Sequence, residues 1–457
     1  MFADKKIHLI GIGGISMSSI ALMLLNMKVQ ISGSDVVESN LTKKLIDMGA
    51  NIKYGHHPEL IEDADIVVYT AAISESDPER VAAKNLNKPY FERAEFLGKL
   101  MKEFRNCLCV SGTHGKSTTT GMLASIFLTA EKNPTIQVGA IYNEIGGNTK
   151  IGSHEYFILE ACEYVDSFLH FYPTAAIITN IDNDHLDYFK NLNNIKKSFA
   201  KYVSLLPKNG YLVYNSDDDN SKDLPNHTKA KVITYAINNP AMYTAKNIKV
   251  DTYGHHEFDL YKDNNFITHI KLNITGPHNI YNALAAFALS SEYIDDVDQI
   301  TKGIEKYRGV GRRFEYLGEY NGAKVFDDYA HHPTEIATTY DSCKEIKNAG
   351  TWAVFGPHTY SRTKAHLDNF AKILSKFNHI LILPIYAARE KDNLGISSLD
   401  LVNKIKELNP NAIFVESYDE ALEYLKNHVK PNELVISIGA ADVYKITHQL
   451  VKTPEEN

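Results

Sequence analysis

The residues of this chain best equipped for chemistry lie in "VSGTHGKSTTTGMLASI", positions 110–126. Here Gly112, Thr113, His114, Gly115, Lys116, Ser117 and Thr118 sit between an apolar, strand-like run and a helical pattern. Two glycines let the backbone turn tightly and aim several N–H groups at one anion. The N-terminus of the helix expected from about Thr118 adds partial positive charge at the same point. Lys116 would reach β- and γ-phosphates, and the Ser117 hydroxyl would ligate Mg2+. The usual phosphate-loop spacing puts a glycine at position 110, where Val110 stands. The strand–loop–helix context offsets that mismatch. The competing reading is a helix cap rich in Gly, Ser and Thr with an incidental lysine.

Two acidic turns lie nearby. The run "YFILEACE" carries Glu160 at its end, and "AAIITNIDNDHLDYF" carries Asp182, Asp184, His185 and Asp187. Adjacent strand ends of an open α/β sheet converge on one crevice. Carboxylates delivered there suit Mg2+, which takes a few hard oxygen ligands plus water and phosphate. His185 would hold a cation or orient a phosphate. Standing alone, such turns more often serve solvation and helix capping.

Each end of the chain adds a cluster. "GIGGISMSS" carries Gly11, Gly13, Gly14 and Ser16, with Ser34 and Asp35 closing the next strand-like run. This is a dinucleotide-type glycine turn with serine in the third glycine's place, and Asp35 lies where such folds bind a ribose hydroxyl. Alone it points to NAD, although the fold also takes other nucleoside diphosphates. Later, "GVGRRFE" carries Arg312 and Arg313. "FDDYAHHPTE" carries Asp327, Asp328, Tyr329, His331 and His332, and "FGPHTYSRT" carries His358 and Arg362. Arginine forks match phosphate or carboxylate. Paired arginines are usually solvated charge, but three such clusters at strand ends of one sheet favour a crevice.

Short apolar runs alternating with helical patterns are needed to hold these clusters, and that alternation predicts parallel α/β architecture. Three blocks emerge: a Rossmann-like domain over 1–105, a central phosphate-loop-type domain with a mostly parallel sheet over 106–310, and a Rossmann-like α/β domain over 311–457. The predicted elements include helices over 16–27 and near 95–105, a helix ending on Gly49, and a β-rich region over 215–266.

The chain has 457 residues and a net charge of −8, which disfavours a nucleic-acid partner. Its four cysteines form no C-x-x-C pair, so no zinc or redox motif is expected; Cys107 and Cys109 read as buried thiols on one strand face. The N-terminus lacks a signal-peptide layout and no apolar stretch approaches a membrane span, so the expected location is cytoplasmic.

In order, GIGG-x-S-M-S, GTHGKSTTT, EACE-x-x-x-SFL, TNI-x-x-DH-x-D, GPHN-x-x-N-x-LAA, GRRFE, DDYAHHPTE and PHTYSRT span the chain. Together they resemble the Mur ligase family of bacterial peptidoglycan synthesis. That resemblance implies ATP-dependent coupling of L-alanine to the lactyl carboxylate of UDP-N-acetylmuramate through an acyl phosphate. It implies UDP-sugar contacts from Gly11, Gly13, Gly14, Ser16, Ser34, Asp35, His56 and Ser74. ATP contacts would come from residues 112–118 and from Asn279, Asn282, Arg313, Asp328 and Tyr329. Ser117, Glu160 and His185 would hold Mg2+, with Mn2+ able to substitute. His331, His358 and Arg362 would face the amino acid, and the catalytic set would be Lys116, Glu160, His185, Arg313 and His331. Departures from the family pattern fall at Ser16, Ser19, Cys162, Tyr164, Gly356 and Ala441. Ala200, with Lys201 beside it, stands where some relatives carbamylate a lysine, so no such modification is expected. A monomer or homodimer without membrane insertion is expected. The alternatives are a murein-peptide ligase on the same UDP-sugar, an NAD-dependent oxidoreductase and a non-enzymatic nucleotide-binding regulator.

Overall fold

The computed structural model describes residues 2, 4–388, 390, 391 and 394–452. The chain forms two compact units, Met1–Tyr243 with Ala285–Gly303, and Thr244–Leu284 with Ile304–Asn457.

The first unit opens with β1 (Lys6–Ile10), α1 (Ile15–Asn26), β2 (Gln30–Asp35), α2 (Asn40–Asp47), β3 (Asn51–Tyr54), β4 (Ile66–Tyr69), α3 (Pro78–Asn85), β5 (Tyr90–Glu92) and α4 (Arg93–Met101). The sheet is parallel in the order β3-β2-β1-β4-β5. The expected left-handed cap is present: Gly49, φ +101°, follows α2. β5 has no counterpart among the expected elements. The helix expected near 95–105 starts and ends earlier, because the Glu92 side chain accepts from the Ala94 N–H and caps α4 there.

The same unit continues with β6 (Asn106–Ser111), α5 (Lys116–Thr129), β7 (Pro134–Tyr142), β8 (Gly147–Lys150), β9 (Ser153–Glu160), β10 (Ala175–Ile178), α6 (Leu186–Phe189), α7 (Leu192–Ser204), β11 (Tyr211–Asn215) and β12 (Lys231–Ala236). Strands run in the order β12-β11-β10-β6-β9-β7-β8, parallel except for the β7–β8 hairpin. That hairpin is also new to the sequence reading. Helix α5 is buried on nearly every side, so it shows no apolar stripe to betray its start, which lies at Lys116 rather than Thr118. One core serves both sheets and includes Phe96, Phe104, Phe157, Phe168 and Tyr202. Cys107 and Cys109 are buried in it, as expected of a strand with period two.

The second unit contains most of β13 (Tyr243–Val250), then β14 (His255–Lys262), β15 (Asn265–Thr275) and the start of α8 (His278–Ser290). After α9 (Val297–Lys306) come β16 (Glu315–Tyr320), β17 (Ala323–Asp328), α10 (Pro333–Glu345), β18 (Thr351–Phe355), α11 (Tyr360–Ala365), α12 (Leu367–Leu374), β19 (His379–Ile382), α13 (Ser398–Lys406), β20 (Ala412–Phe414), α14 (Tyr418–His428), β21 (Leu434–Ile438) and α15 (Tyr444–Val451). The sheet order is β16-β17-β21-β18-β19-β20, parallel except for β16. Alternate residues feed opposite faces. Phe326, Ala353 and Ile436 enter one core, and Val325, Val354 and Val435 enter the other.

Among the described residues no helix is long and apolar enough to cross a membrane.

Candidate active site

In the first unit the loop after β6 is shaped by contact with the end of β10. A Cβ on Gly112, φ +130°, would lie 2.0 Å from Thr179 Oγ1, so only glycine fits. The Thr113 N–H donates to the Asn180 carbonyl at 3.0 Å, and the His114 N–H donates to Asn180 Oδ1 at 2.9 Å. The Thr179 hydroxyl donates to the His114 carbonyl at 2.6 Å, and His114 Nε2 lies 3.0 Å from Asp182 Oδ2. Gly115, φ +84°, is the N-cap of α5, and Lys116 and Ser117 open the helix. The strand, glycine bend and helix N-terminus expected of the sequence are all present.

Lys116 is held tightly. Its Nζ donates to the Gly112 carbonyl at 2.5 Å, the Thr113 carbonyl at 3.0 Å and Glu163 Oε2 at 3.0 Å. Burial alone would lower the ammonium pKa. The Glu163 carboxylate outweighs it, helped by Cys162 and Glu160, and the pKa rises. His185 Nε2 lies 3.9 Å from Glu163 Oε1, and its ring lies 4.6 Å from that of Tyr164. Glu160 Oε1 accepts from the Gly139 N–H at 2.5 Å, which aims the carboxylate. Sequence reasoning assigned Glu160 and passed over Glu163, Thr179 and Asn180. The second glutamate of "EACE" was the available signal. The Asp187 side chain lies outside the described part of the structure.

At the N-terminal sheet, Gly13 N–H donates to Asp35 Oδ2 at 2.8 Å, so Asp35 braces the first glycine turn. The amides of Gly11 and Ile12 donate to the Ser34 carbonyl. The Ser34 side chain points inward and donates to Glu79 Oε2 at 2.6 Å. Glu79 is fully buried and also meets His8 Nε2 at 3.3 Å and the His57 N–H at 2.6 Å. Burial would raise its pKa, but these donors more than offset it and the carboxyl titrates below its usual range. Gly14 caps α1. Ser16 accepts from Arg93 Nη1 at 3.2 Å. His56 Nδ1 lies 3.1 Å from Asp77 Oδ2, and the Asp77 N–H donates to the Ser74 carbonyl, which groups His56 with Ser74.

In the second unit the two adjacent arginines differ. Arg312, φ +61°, donates through Nε to buried Asp327 at 2.9 Å and through Nη2 to the Gly439 carbonyl at 2.6 Å. Glu315, Asp327 and His448 offer ligand atoms close enough together for a metal ion. The Arg312 guanidinium already supplies positive charge to Asp327, and the Arg312 N–H donates to Glu315. Arg312 is therefore a structural anchor. Arg313 lies over the Tyr329 ring, 5.3 Å from its centroid.

Asp328 accepts from the Thr339 hydroxyl at 2.6 Å, and burial pushes its carboxyl up to about 6. His331 Nδ1 lies 2.9 Å from the Tyr329 carbonyl, an acceptor that calls for a proton on Nδ1. The rings of His331 and His358 are 5.9 Å apart, and His358 Nδ1 lies 3.1 Å from Arg362 Nη1. Burial, with help from His331 and Arg362, lowers the His358 pKa to about 4. Glu390, absent from the sequence reading, accepts from the Ser361 N–H at 2.9 Å and the Ser361 hydroxyl. The structure thus brings together Asp328, Tyr329, His331, His358 and Arg362. Asn279 and Asn282 form a separate pair on α8, where Asn282 Nδ2 donates to Asn279 Oδ1 at 2.9 Å.

Three family models match in order. They are "Mur ligase family, catalytic domain" over residues 6–105, "Mur ligase middle domain" over 110–290 and "Mur ligase, glutamate ligase domain" over 312–441. A UDP-N-acetylmuramate–L-alanine ligase of Acetivibrio thermocellus is 46% identical over 98% of this chain and 96% of its own length. The enzyme of that name from Alkaliphilus metalliredigens is 47% identical over 98% and 97%. The crystal structure of the UDP-N-acetylmuramate-alanine ligase of Thermotoga maritima superposes with a TM-score of 0.82 at 28% identity, covering 98% of each chain.

Proposed function

The chain belongs to the Mur ligase family, and from that premise we propose that it joins L-alanine to the lactyl carboxylate of UDP-N-acetylmuramate at the expense of ATP. Family membership sets aside the oxidoreductase reading of Gly11, Gly13 and Asp35. The observation that supports this chemistry is the glycine bend against β10, with a half-buried Lys116 paired to Glu163, which itself lies 3.9 Å from His185.

A carboxylate resists attack by an amine until it is activated. Transfer of the γ-phosphoryl group of ATP to the lactyl oxygen releases ADP and leaves an acyl phosphate. The alanine amine then attacks the acyl carbon, and phosphate departs from the tetrahedral intermediate. Catalysis of this kind is positioning and charge neutralisation. Amides of residues 112–118 would hold the phosphates, and Lys116 would neutralise charge on the transferred group. Arg362 would pair with the alanine carboxylate. His331 and His185 are the candidates for removing the ammonium proton. The Ser117 hydroxyl and the Glu160 carboxylate are the hard donors Mg2+ prefers, and Glu160 is already aimed by the Gly139 amide. His185 would complete that set. Mg2+ when bound supplies charge neutralisation at the phosphates. Asp35 would reach a UDP-sugar only while bracing its own loop, and the Ser34 contribution is its carbonyl. The location that fits ATP use is the cytoplasm.

The test is ADP release with UDP-N-acetylmuramate and each of the twenty amino acids, alongside an alanine-initiated tripeptide. L-Alanine alone should give full turnover. Turnover confined to the tripeptide would replace this reading with that of a murein-peptide ligase.

A further inference from the structure

The Lys116 ammonium has three donors and, in this structure, three different acceptors within 3.0 Å: the Gly112 carbonyl, the Thr113 carbonyl and the Glu163 carboxylate. All three donors are used within the protein. The Glu163 side chain is 2% exposed, against 16% for Lys116, so the ion pair is closed to solvent on the carboxylate side. To touch a β- or γ-phosphate, Lys116 must give up at least one of these partners.

The backbone that delivers Glu163 is unusual. Val165 and Asp166, two and three residues after it, adopt left-handed φ values of +50° and +57°. A β-branched residue pays about 1–3 kcal/mol to sit there. The turn is nevertheless closed by the Asp166 N–H donating to the Glu163 carbonyl at 2.9 Å. It is also tied down on the far side, where the Tyr188 hydroxyl donates to Asp166 Oδ2 at 2.8 Å and the Ser198 hydroxyl donates to Asp166 Oδ1. A strained turn anchored to two helices presents one carboxylate to one lysine. Glu160, three residues earlier, is committed to the Gly139 amide and to the end of β9, so it does not duplicate the contact.

We propose that Glu163 is a positioning residue that latches Lys116 against its own loop until a triphosphate displaces it. The inference rests on the reading of residues 112–118 as the ATP loop. On binding, the ammonium exchanges the Glu163 carboxylate for phosphate oxygen, with no covalent change. Glu163 stays beside His185 Nε2, which is 3.9 Å away. A latch of this kind weakens nucleotide binding in the resting enzyme and so sets an affinity below what the loop alone would give.

The test measures ATP binding by calorimetry in Mg2+-free buffer for the full chain, Glu163→Gln and Glu163→Asp. Glu163→Gln keeps the shape and a hydrogen bond but removes the competing charge. It should bind ATP roughly three- to tenfold more tightly, with UDP-N-acetylmuramate binding unchanged. Damage to the fold would weaken ATP binding, so the direction separates a latch from a scaffold. If Glu163→Gln does not fold, Glu163→Asp, one methylene shorter, carries the test with an expected gain of at least twofold. ATP affinity that is equal or weaker in the folded variant, with the parent chain binding ATP normally, overturns the latch. A parent chain that binds no ATP overturns the loop assignment instead.

Discussion

Replacing Asp328 by Asn should make the second unit more stable at pH 8 and leave it unchanged near pH 4. Burial pushes this carboxyl from its ordinary 3.8 to about 6, with Glu335 and Asp327 adding to the effect and the Thr339 hydroxyl and Arg313 opposing it. The sign follows from proton counting. Between pH 3.8 and 6 the folded protein holds a proton that the unfolded chain has lost, so stability falls as pH rises through that window. At 1.36 kcal/mol per tenfold in proton affinity, the full penalty above pH 6 is about 3 kcal/mol. Asp328 is only 9% exposed, so solvent screening removes little of it, although local relaxation would bring the gain nearer ~1.5 kcal/mol. Asn keeps an acceptor for the Ala330 N–H, and its NH2 group can donate to the Thr339 hydroxyl, which turns its own proton to the Glu335 carbonyl. For a unit of this size that gain corresponds to a melting shift of roughly 3–6 °C. Scanning calorimetry of both proteins from pH 4 to pH 8 reads it directly. A difference that does not vary with pH, or an Asn variant less stable at pH 8, refutes the reasoning. Ligation should fall in the same variant, because a penalised charge is retained where function needs it.

Two further outcomes follow from contacts already described. Gly112→Ala places a methyl 2.0 Å from Thr179 Oγ1 at φ +130°, so ATP binding should drop at least tenfold while calorimetry still detects UDP-sugar binding. Arg312→Ala leaves the fully buried Asp327 carboxylate without its guanidinium, and urea unfolding should show the second unit destabilised by about 3–5 kcal/mol. Arg312→Lys should recover little of this, since an ammonium cannot span Asp327 and the Gly439 carbonyl at once.

The strands with clear apolar runs, such as β1, β6 and β21, were legible because both sheet faces are covered. The β7–β8 hairpin was passed over, and so was α9, although Val297, Ile300 and Ile304 stand there at helical spacing. Clusters such as "GTHGKST" and "DDYAHHPTE" announced themselves by residue type. Partnerships did not. The sequence places Arg312 and Arg313 side by side with equal chemistry; both guanidinium groups lie over Tyr329, and only the fold ties Arg312 to Asp327 and Gly439. Ser34 fails in the same way, since strand alternation decides which face its hydroxyl meets, and that face holds Glu79.

Backbone strain gives an independent view of where function lies. His185 at φ +54°, Arg312 at +61°, Phe314 at +47° and Thr359 at +63° are non-glycine residues in left-handed or stranger conformations, and each falls inside a motif singled out by its chemistry. Each costs on the order of 1–3 kcal/mol, which a fold under selection for stability alone would shed by substituting glycine. Glycine is not used there because the side chains have work to do. The Thr359 hydroxyl caps α11 by accepting from the Arg362 N–H, and the His185 ring stands beside Glu163. Arg312 anchors Asp327 from a bend that also lets its own N–H reach Glu315. Loops elsewhere in the chain take positive φ at Asn87, Asn133, Asn247 and Asn321, the residue type that tolerates it best, and also at Lys28, Glu131 and Lys190. Those last three lie outside the motifs, so strain points to function only where, as at His185, Arg312 and Thr359, a described side-chain contact accompanies it.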